Sequence, residues 1–227
     1  MRLLVFGGSG RTGRAFVVRA ATAGWSVHAT GRDPARLAAL GGDVAWSALD
    51  AGNAPAVLDL VRSVRPTAIV SLIGGPCEGG FVDEIGNIAI ADAAAAAGVR
   101  RVVQVSSLAC GDSRPYASLR LVAAIGLVLD AKTRAEDHLR GLDLDWTIVR
   151  PAGLIDGDPS GMGALYDDPR VHGRIGRADL AALLLACLTA EVTVRKVLSA
   201  VDRSLLCGPD DARAFALTRA AAPPPVA

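Results

Sequence analysis

The chain has 227 residues, of which 51% are hydrophobic, so it can build one α/β domain around a sizeable core. Its 24 basic residues nearly balance its 23 acidic residues, and the formal net charge is +1. Because no basic run is interleaved with aromatic residues, this balance argues against nucleic acid as a partner.

The apolar run that follows Met1 and Arg2 stops at Gly7, which is too short for a secretory signal peptide. The longest uncharged apolar stretch, residues 121–129, is about half of the ~20 residues that a membrane span needs. The four cysteines share no CxxC spacing, and none of the three histidines lies near them. We therefore expect a soluble, cytoplasmic protein with free thiols, no bound metal and no membrane partner.

Short runs of valine, isoleucine and leucine alternate with longer helical patterns along the whole chain. The runs predict strands near residues 3–6, 26–30, 44–47, 68–73, 102–106, 146–149 and 194–201. Continuous apolar runs are typical of parallel strands that are covered on both faces. The sequence thus predicts an α/β fold with helices on both faces of one doubly wound, Rossmann-type parallel sheet. Its expected strand order is 3-2-1-4-5-6, with a seventh strand.

Caps and stops mark the helices between these strands. The predicted helices cover about 14–23, 34–40, 54–65, 81–97, 119–140 and 179–190. With no repeat and no linker, we expect one domain over residues 1–219 and a flexible, proline-rich tail over 220–227. Residues 156–174 hold four glycines and two prolines and predict no strong element. We expect a substrate site at this loop.

Three glycines, Gly7, Gly10 and Gly13, form a G-x-x-G-x-x-G pattern directly after the first strand and before the first helix. Such a turn lets the backbone approach a dinucleotide pyrophosphate, and the amide groups of the helix N-terminus then face the phosphates. The alternative is an ordinary strand-to-helix turn. The residues expected to contact the cofactor are Gly7, Gly8, Ser9, Gly10, Arg11, Thr12 and Gly13.

The end of the second strand indicates which dinucleotide binds. NAD-binding proteins place an acidic residue there on the ribose 2′-hydroxyl, whereas this chain has Arg32, which suits a 2′-phosphate. Arg11 could assist. If Arg32 is not merely a solvated residue beside Asp33, the sequence favours NADP(H), with NAD(H) the less favoured cofactor.

The chain resembles the short-chain dehydrogenase/reductase superfamily, specifically its atypical members, which include flavin/biliverdin reductase-like enzymes and NmrA-type redox sensors. The motifs that carry the resemblance are GGSGRTG at 7–13, TGRDPARL at 30–37, VVQVSSLA at 102–109, AKTRAEDHLRGLDLDWTIVRPAGLIDG at 131–157 and GRADLAALLLACL at 176–188. The resemblance implies further cofactor contacts from Asp50, Leu72, Ile73, Gly74, Ser106, Lys132, Pro151, Ala152, Gly153 and Leu154.

Members of the superfamily usually pair a serine with a Tyr-x-x-x-Lys motif, in which the tyrosine transfers the proton. Lys132 matches the lysine, but Val128 stands where the tyrosine would be. Lys132 can hold the cofactor ribose or simply pair with Glu136, and Ser107 can bind a substrate carbonyl or cap a turn. Tyr116 is the candidate to replace the missing acid. The catalytic candidates are therefore Ser107, Lys132 and Tyr116.

These observations leave two functions open. The first is an NADPH-dependent reductase of a small-molecule acceptor, namely a flavin, a quinone or a conjugated carbonyl, which can take its proton from water. The second is a non-catalytic NADP(H)-binding redox sensor. A sugar epimerase or dehydratase is less favoured, because that chemistry depends on the tyrosine.

Overall fold

The computed structural model describes residues 1–217, so the predicted tail at 220–227 lies outside the described residues. The strands are β1 (Arg2–Phe6), β2 (Ser26–Gly31), β3 (Ala45–Ala48), β4 (Ala68–Ser71), β5 (Pro76–Cys77), β6 (Gly80–Phe81), β7 (Arg101–Val105), β8 (Asp145–Pro151), β9 (Gly153–Ile155), β10 (Gly163–Tyr166), β11 (Arg174–Gly176) and β12 (Lys196–Asp202). The α-helices are α1 (Arg11–Thr22), α2 (Pro34–Ala38), α3 (Ala54–Val64), α4 (Val82–Ala96), α5 (Leu119–Arg140) and α6 (Arg177–Thr189).

The central sheet has eight strands in the order β10-β12-β8-β7-β4-β1-β2-β3. All neighbouring strands are parallel except β10 and β12, which are antiparallel. The seven strands predicted from the sequence are β1, β2, β3, β4, β7, β8 and β12. Their predicted order is confirmed, and the seventh strand lies beside the sixth.

The expectation that residues 156–174 form no strong element was wrong in part, because β10 lies within this segment. Ala164, Leu165 and Tyr166 are buried, and the strand pairs with β12 at the edge of the sheet. A run of only three apolar residues between glycines and aspartates is too short to show a periodicity. Within the same region, β9 and β11 form a separate two-stranded sheet that leads into α6.

Helices cover both faces of the sheet, as a doubly wound fold requires. On one face α1 and α6 pack together, and buried residues such as Phe16 and Leu184 join the core there. On the other face α3, α4 and α5 pack side by side over Leu4 and Ile69. Within the described residues, none of the helices has both the length and the apolar character that crossing a lipid bilayer requires.

Arg150, near the end of β8, joins three parts of the chain through one buried guanidinium group. Its Nε and Nη2 donate to the two carboxylate oxygens of Glu136 in α5 at 3.0 and 2.6 Å. Its Nη1 donates to Asp112, which lies in the short 3₁₀ helix Gly111–Tyr116. The Arg150 and Glu136 side chains are only 2% and 1% exposed, so their charges depend on each other.

Burial by itself disfavours the charged form of Arg150, but the hydrogen bonds and charges of Glu136 and Asp112 outweigh it and raise the Arg150 pKa. The guanidinium also explains why position 111 is occupied by glycine, since a Cβ on Gly111 would lie 2.5 Å from Nη2 of Arg150. This cluster fixes α5 and the 3₁₀ helix against the end of β8.

Replacing Arg150 with methionine leaves the buried Glu136 carboxylate without its partner. We expect Arg150→Met to lower the free energy of unfolding by about 3–5 kcal/mol, measured by urea denaturation. The matched control is Arg100→Met, because Arg100 pairs with Asp145 on the surface and its side chain is 56% exposed. Loss of that exposed pair is expected to cost no more than about 1 kcal/mol. Equal losses in the two variants would contradict the prediction.

Candidate functional site

Two cavities lie side by side at the carboxyl ends of the parallel strands, where ligands bind in open α/β sheets. The smaller cavity, of about 310 Å³, surrounds the glycine turn and the end of β2. The larger cavity, of about 840 Å³, lies beyond the ends of β7 and β8. Both are lined by Leu72, Ile73 and Gly74, which follow β4. The two cavities therefore form one cleft with a common wall.

The glycine turn is so tightly packed that Gly7 and Gly13 cannot be replaced by residues with side chains. Gly7 has a φ of +81°, and a Cβ on it would lie 2.8 Å from the Leu72 carbonyl oxygen. A Cβ on Gly13 would lie 2.1 Å from the carbonyl oxygen of Gly7. Helix α1 begins at once, and no side chain caps its N-terminus at Gly10. Its first amide groups are thus left for another acceptor, which fits the pyrophosphate of a dinucleotide.

The smaller cavity holds most of the residues predicted to bind the adenosine half of the cofactor. Of the predicted residues, it is lined by Gly7, Ser9, Gly10, Arg32, Asp50, Leu72, Ile73 and Gly74. Sequence reasoning missed Arg36, which also lines it. Asp33 caps α2 by accepting from the Ala35 and Arg36 amides at 2.9 and 3.2 Å, and this fixes Arg36 in the first turn beside Arg32. The motif TGRDPARL contains both the capping residue Asp33 and Arg36, so this second arginine could have been found from the sequence.

Three residues of the predicted glycine turn line neither cavity. Gly8 is buried, and its amide donates to the Thr30 carbonyl oxygen at 2.8 Å. Gly13 allows the start of α1 to pack closely against Gly7. The Arg11 guanidinium donates to Asp156 at 2.9 Å, and Asp156 also accepts from Arg177 at 2.8 Å. Arg11, which the sequence suggested as an assistant to Arg32, is therefore engaged by Asp156 and does not line the smaller cavity.

The larger cavity brings together the remaining predicted residues. It is lined by Thr12, Leu72, Ile73, Gly74, Ser106, Ser107, Tyr116, Lys132, Pro151, Ala152, Gly153 and Leu154. The residues that sequence reasoning did not place here are Val105, Leu108, Ala109, Ala117, Ser118, Leu121, Ile125, His172 and Gly173. Of these, His172 and Gly173 come from the 156–174 loop, so part of that loop does lie at the cleft.

Ser106 carries a buried hydroxyl whose Oγ has no hydrogen-bond partner of good geometry among the described residues, although it is close enough to the Cys110 thiol to oppose the rise in pKa that burial causes there. The residue is 4% exposed and lines the larger cavity. Leaving a buried polar group unpaired costs about 1–3 kcal/mol, so such groups in native proteins call for an explanation. A bound cofactor that offers a polar atom at this position would supply the missing partner. Together with the glycine turn, this hydroxyl shows that the cleft fits a dinucleotide.

Lys132 forms an ion pair different from the one considered from the sequence. Its Nζ lies 2.6 Å from Oδ1 of Asp83, and the two side chains are 14% and 1% exposed. The alternative pairing with Glu136 is wrong, because Glu136 is bound to Arg150. The other carboxylate oxygen of Asp83 accepts the Gly75 amide at 2.7 Å. Lys132 is thereby connected to the turn after β4, which forms the common wall of the two cavities.

The position of the missing tyrosine is occupied by Val128, one helical turn before Lys132, and valine carries no group that can exchange a proton. Val128 lines a separate groove of about 460 Å³ with Phe81. Tyr116 does line the larger cavity, and its ring lies 6.5 Å from that of His172, at an interplanar angle of 52°. Among residues 1–217, no three His, Cys, Asp or Glu side chains are grouped so that they could hold a metal ion. Among the described residues that line the larger cavity, the Tyr116 phenol, the His172 imidazole and the Lys132 ammonium are the side chains that commonly exchange protons.

The fold and sequence of this chain are similar to those of known proteins. The anaerobilin reductase ChuY of Escherichia coli superposes with a TM-score of 0.80 and 31% identity, covering 90% of this chain and 98% of that one. A wide-type short-chain dehydrogenase/reductase of Veillonella parvula, solved in complex with NADP, has the same fold with a TM-score of 0.71 and 15% identity. The superposition covers 92% of this chain and 98% of the Veillonella parvula chain.

A curated relative is an uncharacterized chloroplastic protein of Arabidopsis thaliana. It is 28% identical over 230 aligned positions, which cover 89% of this chain and 77% of the relative. A family model described as NAD(P)H-binding matches residues 7–191, which include the glycine turn and the end of α6. The chain therefore belongs to the NAD(P)H-binding family.

Proposed function

We propose that this protein is an NADPH-dependent oxidoreductase that reduces a flavin, a quinone or a conjugated carbonyl compound. The observation that carries the proposal is the common wall of the two cavities, formed by Leu72, Ile73 and Gly74. A dinucleotide whose adenosine half occupies the smaller cavity can extend over this wall, so that its nicotinamide meets a small acceptor in the larger one.

The preference for NADP(H) over NAD(H) is supported by the charges at the end of β2. Arg32 and Arg36 both line the smaller cavity, and guanidinium groups suit a 2′-phosphate. Asp33 is the acidic residue beside them, but its Oδ1 is engaged by the first turn of α2. Asp50 is also engaged, since its Oδ1 accepts the Gly52 amide at 2.9 Å. The arrangement therefore favours a phosphate over a bare 2′-hydroxyl at this corner.

In this proposal the cofactor supplies the hydride. The protein binds and orients the cofactor and the acceptor, and it provides protons. Ser106 and Ser107 offer hydroxyls to the nicotinamide or the acceptor carbonyl. Lys132, held in place by its ion pair with Asp83, offers N–H donors to the ribose hydroxyls. Tyr116 can donate a proton to an acceptor that needs one. The likeness to ChuY, whose described activity is anaerobilin reduction, supports a reductase but not a particular acceptor.

The second candidate function is a non-catalytic NADP(H)-binding redox sensor. Val128, which occupies the position of the usual proton donor, is the observation that favours it. Against it stands the larger cavity, since a sensor that responds only to the cofactor does not require an acceptor site of about 840 Å³. A sugar epimerase is less favoured, because its chemistry depends on the absent tyrosine.

The proposal is tested by mixing the purified protein with NADPH and a panel of flavins, quinones and conjugated aldehydes and following the loss of NADPH absorbance. We expect at least one acceptor to be reduced with saturation kinetics. Binding of NADPH without its oxidation by any acceptor would favour the sensor.

Arg32→Ala and Arg36→Ala test the cofactor preference. Each variant removes one guanidinium from the proposed 2′-phosphate site, so each is expected to raise the Kd for NADPH by about tenfold or more, with little change for NADH. Cofactor fluorescence measures both constants. Arg19→Ala is the matched control, because Arg19 is exposed in the last turn of α1. Equal losses for NADPH and NADH would refute the 2′-phosphate assignment.

Tyr116→Phe tests the proton donor. General acid catalysis contributes about 10²–10⁴-fold, so the variant is expected to lose that much kcat with a conjugated aldehyde. A quinone can take its proton from water, and its kcat is expected to change by less than about tenfold. Tyr166→Phe is the matched control, since Tyr166 is buried in β10 and does not line the cavity. An unchanged kcat with every reducible aldehyde would exclude Tyr116 as the acid.

A further inference from the structure

The wall of the larger cavity that lies away from the glycine turn is apolar. Leu121 and Ile125 from α5 and Leu154 from β9 line it, together with Ala117. Leu121, Ile125 and Leu154 are 38%, 39% and 37% exposed, although large aliphatic side chains are usually buried. A ligand that covers these side chains removes their apolar surface from water, and this stabilises the complex.

Positive charge in the same cavity is already neutralised. Among the described residues that line it, Lys132 is the one lysine or arginine, and its Nζ is 2.6 Å from the buried carboxylate of Asp83. Arg170, whose charge interacts with Tyr116, is bound by Asp168 at 2.8 and 3.0 Å and by Asp211 at 3.4 Å. An anionic acceptor would therefore lose its hydration without gaining an unpaired lysine or arginine.

The polar groups that remain in the cavity suit a neutral carbonyl oxygen. Ser107, Tyr116 and His172 line the cavity and carry hydroxyl or imidazole groups that can donate a hydrogen bond. The backbone of His172 is fixed, because its amide and carbonyl both hydrogen-bond to Cys207 at 2.6 and 2.8 Å. Donors held in this way can orient a ring carbonyl without any charge on the ligand.

Ile125 connects the apolar wall of the cavity to a neighbouring groove on α5. It lines both the larger cavity and the groove that contains Val128, and its φ of −135° marks a kink in the helix. Val122, Leu127 and Val128 also line this groove. An apolar substituent on a bound ring that passes Ile125 would therefore meet further apolar side chains.

We infer that the acceptor is an uncharged quinone with an apolar substituent rather than an anionic flavin nucleotide. This inference rests on the proposed reductase function and names its class of substrate. In the reaction, one hydride from NADPH and one proton from solvent convert the quinone into its hydroquinone, and NADPH becomes NADP⁺. The quinone ring occupies the larger cavity beside Ser107 and Tyr116, and the substituent contacts Leu121 and Ile125.

The inference is tested by calorimetric binding of two matched ligands to the complex with 1,4,5,6-tetrahydro-NADP, whose uncharged ring cannot reduce them and, unlike the nicotinamide of NADP⁺, adds no positive charge to the cavity. The ligands are 1,4-naphthoquinone and 1,4-naphthoquinone-2-sulfonate, which share a ring and differ by one negative charge. We expect the neutral quinone to bind about tenfold more tightly or better, because the cavity offers no unpaired lysine or arginine to the sulfonate. Equal affinities, or tighter binding of the sulfonate, would overturn the inference.

A variant locates the ligand. Ile125→Asp places a carboxylate on the apolar wall and is expected to weaken binding of the neutral quinone about tenfold, while the Kd for NADPH stays unchanged. Val18→Asp is the matched control, since Val18 is 56% exposed on α1, away from both cavities. Equal quinone affinity in the two variants would place the ligand elsewhere. A neutral quinone that binds preferentially but is not reduced in the NADPH assay would contradict the reductase function and still support the selectivity.

Discussion

The close approach of three backbone segments at the glycine turn is the constraint on which the site depends. The turn after β1 lies against the chain after β4, and the start of α1 lies against the turn itself, with no room for a Cβ at Gly7 or Gly13. This packing places the uncapped N-terminus of α1 next to the wall formed by Leu72, Ile73 and Gly74. Because that wall bounds both cavities, the same contact joins the end of the cleft that holds the glycine turn to the end that holds Ser107 and Tyr116. A bulkier turn would separate the two ends of the cleft.

The parts of the fold that the sequence predicts well are those encoded by neighbouring residues. Continuous apolar strands, helix caps such as Asp33 and the glycine spacing are local patterns, and the strand order follows from the handedness of the crossovers between them. The cavity-lining positions at the ends of β4, β7 and β8 follow from the same rule. Strand β10 was not predicted because its four residues are too few to show a periodicity. Pairing with β12, which lies far along the chain, decides its conformation.

The electrostatic contacts of the site could not be predicted in this way. Arg11 and Asp156 are 145 residues apart in the sequence, and nothing near either residue indicates the other. Lys132 has Glu136 one helical turn away, yet the structure pairs each with a more distant partner, Asp83 and Arg150. A local i,i+4 pair is worth at most ~0.5 kcal/mol, whereas leaving a buried carboxylate unpaired costs several times more. For Lys132 and Glu136, burial thus decides which ion pairs form, and burial is a property of the fold.

The same ion pairs determine which chemistry the cleft can support. Lys132 retains the position of the superfamily lysine, but its charge is shared with Asp83, whose other oxygen holds the Gly75 amide. The lysine therefore helps to fix the wall after β4 and has little charge to offer an acceptor. With Val128 in the position of the usual tyrosine, the larger cavity lacks the usual proton donor as well. An acceptor that needs neither a strong acid nor an anion-binding group matches what these side chains leave available.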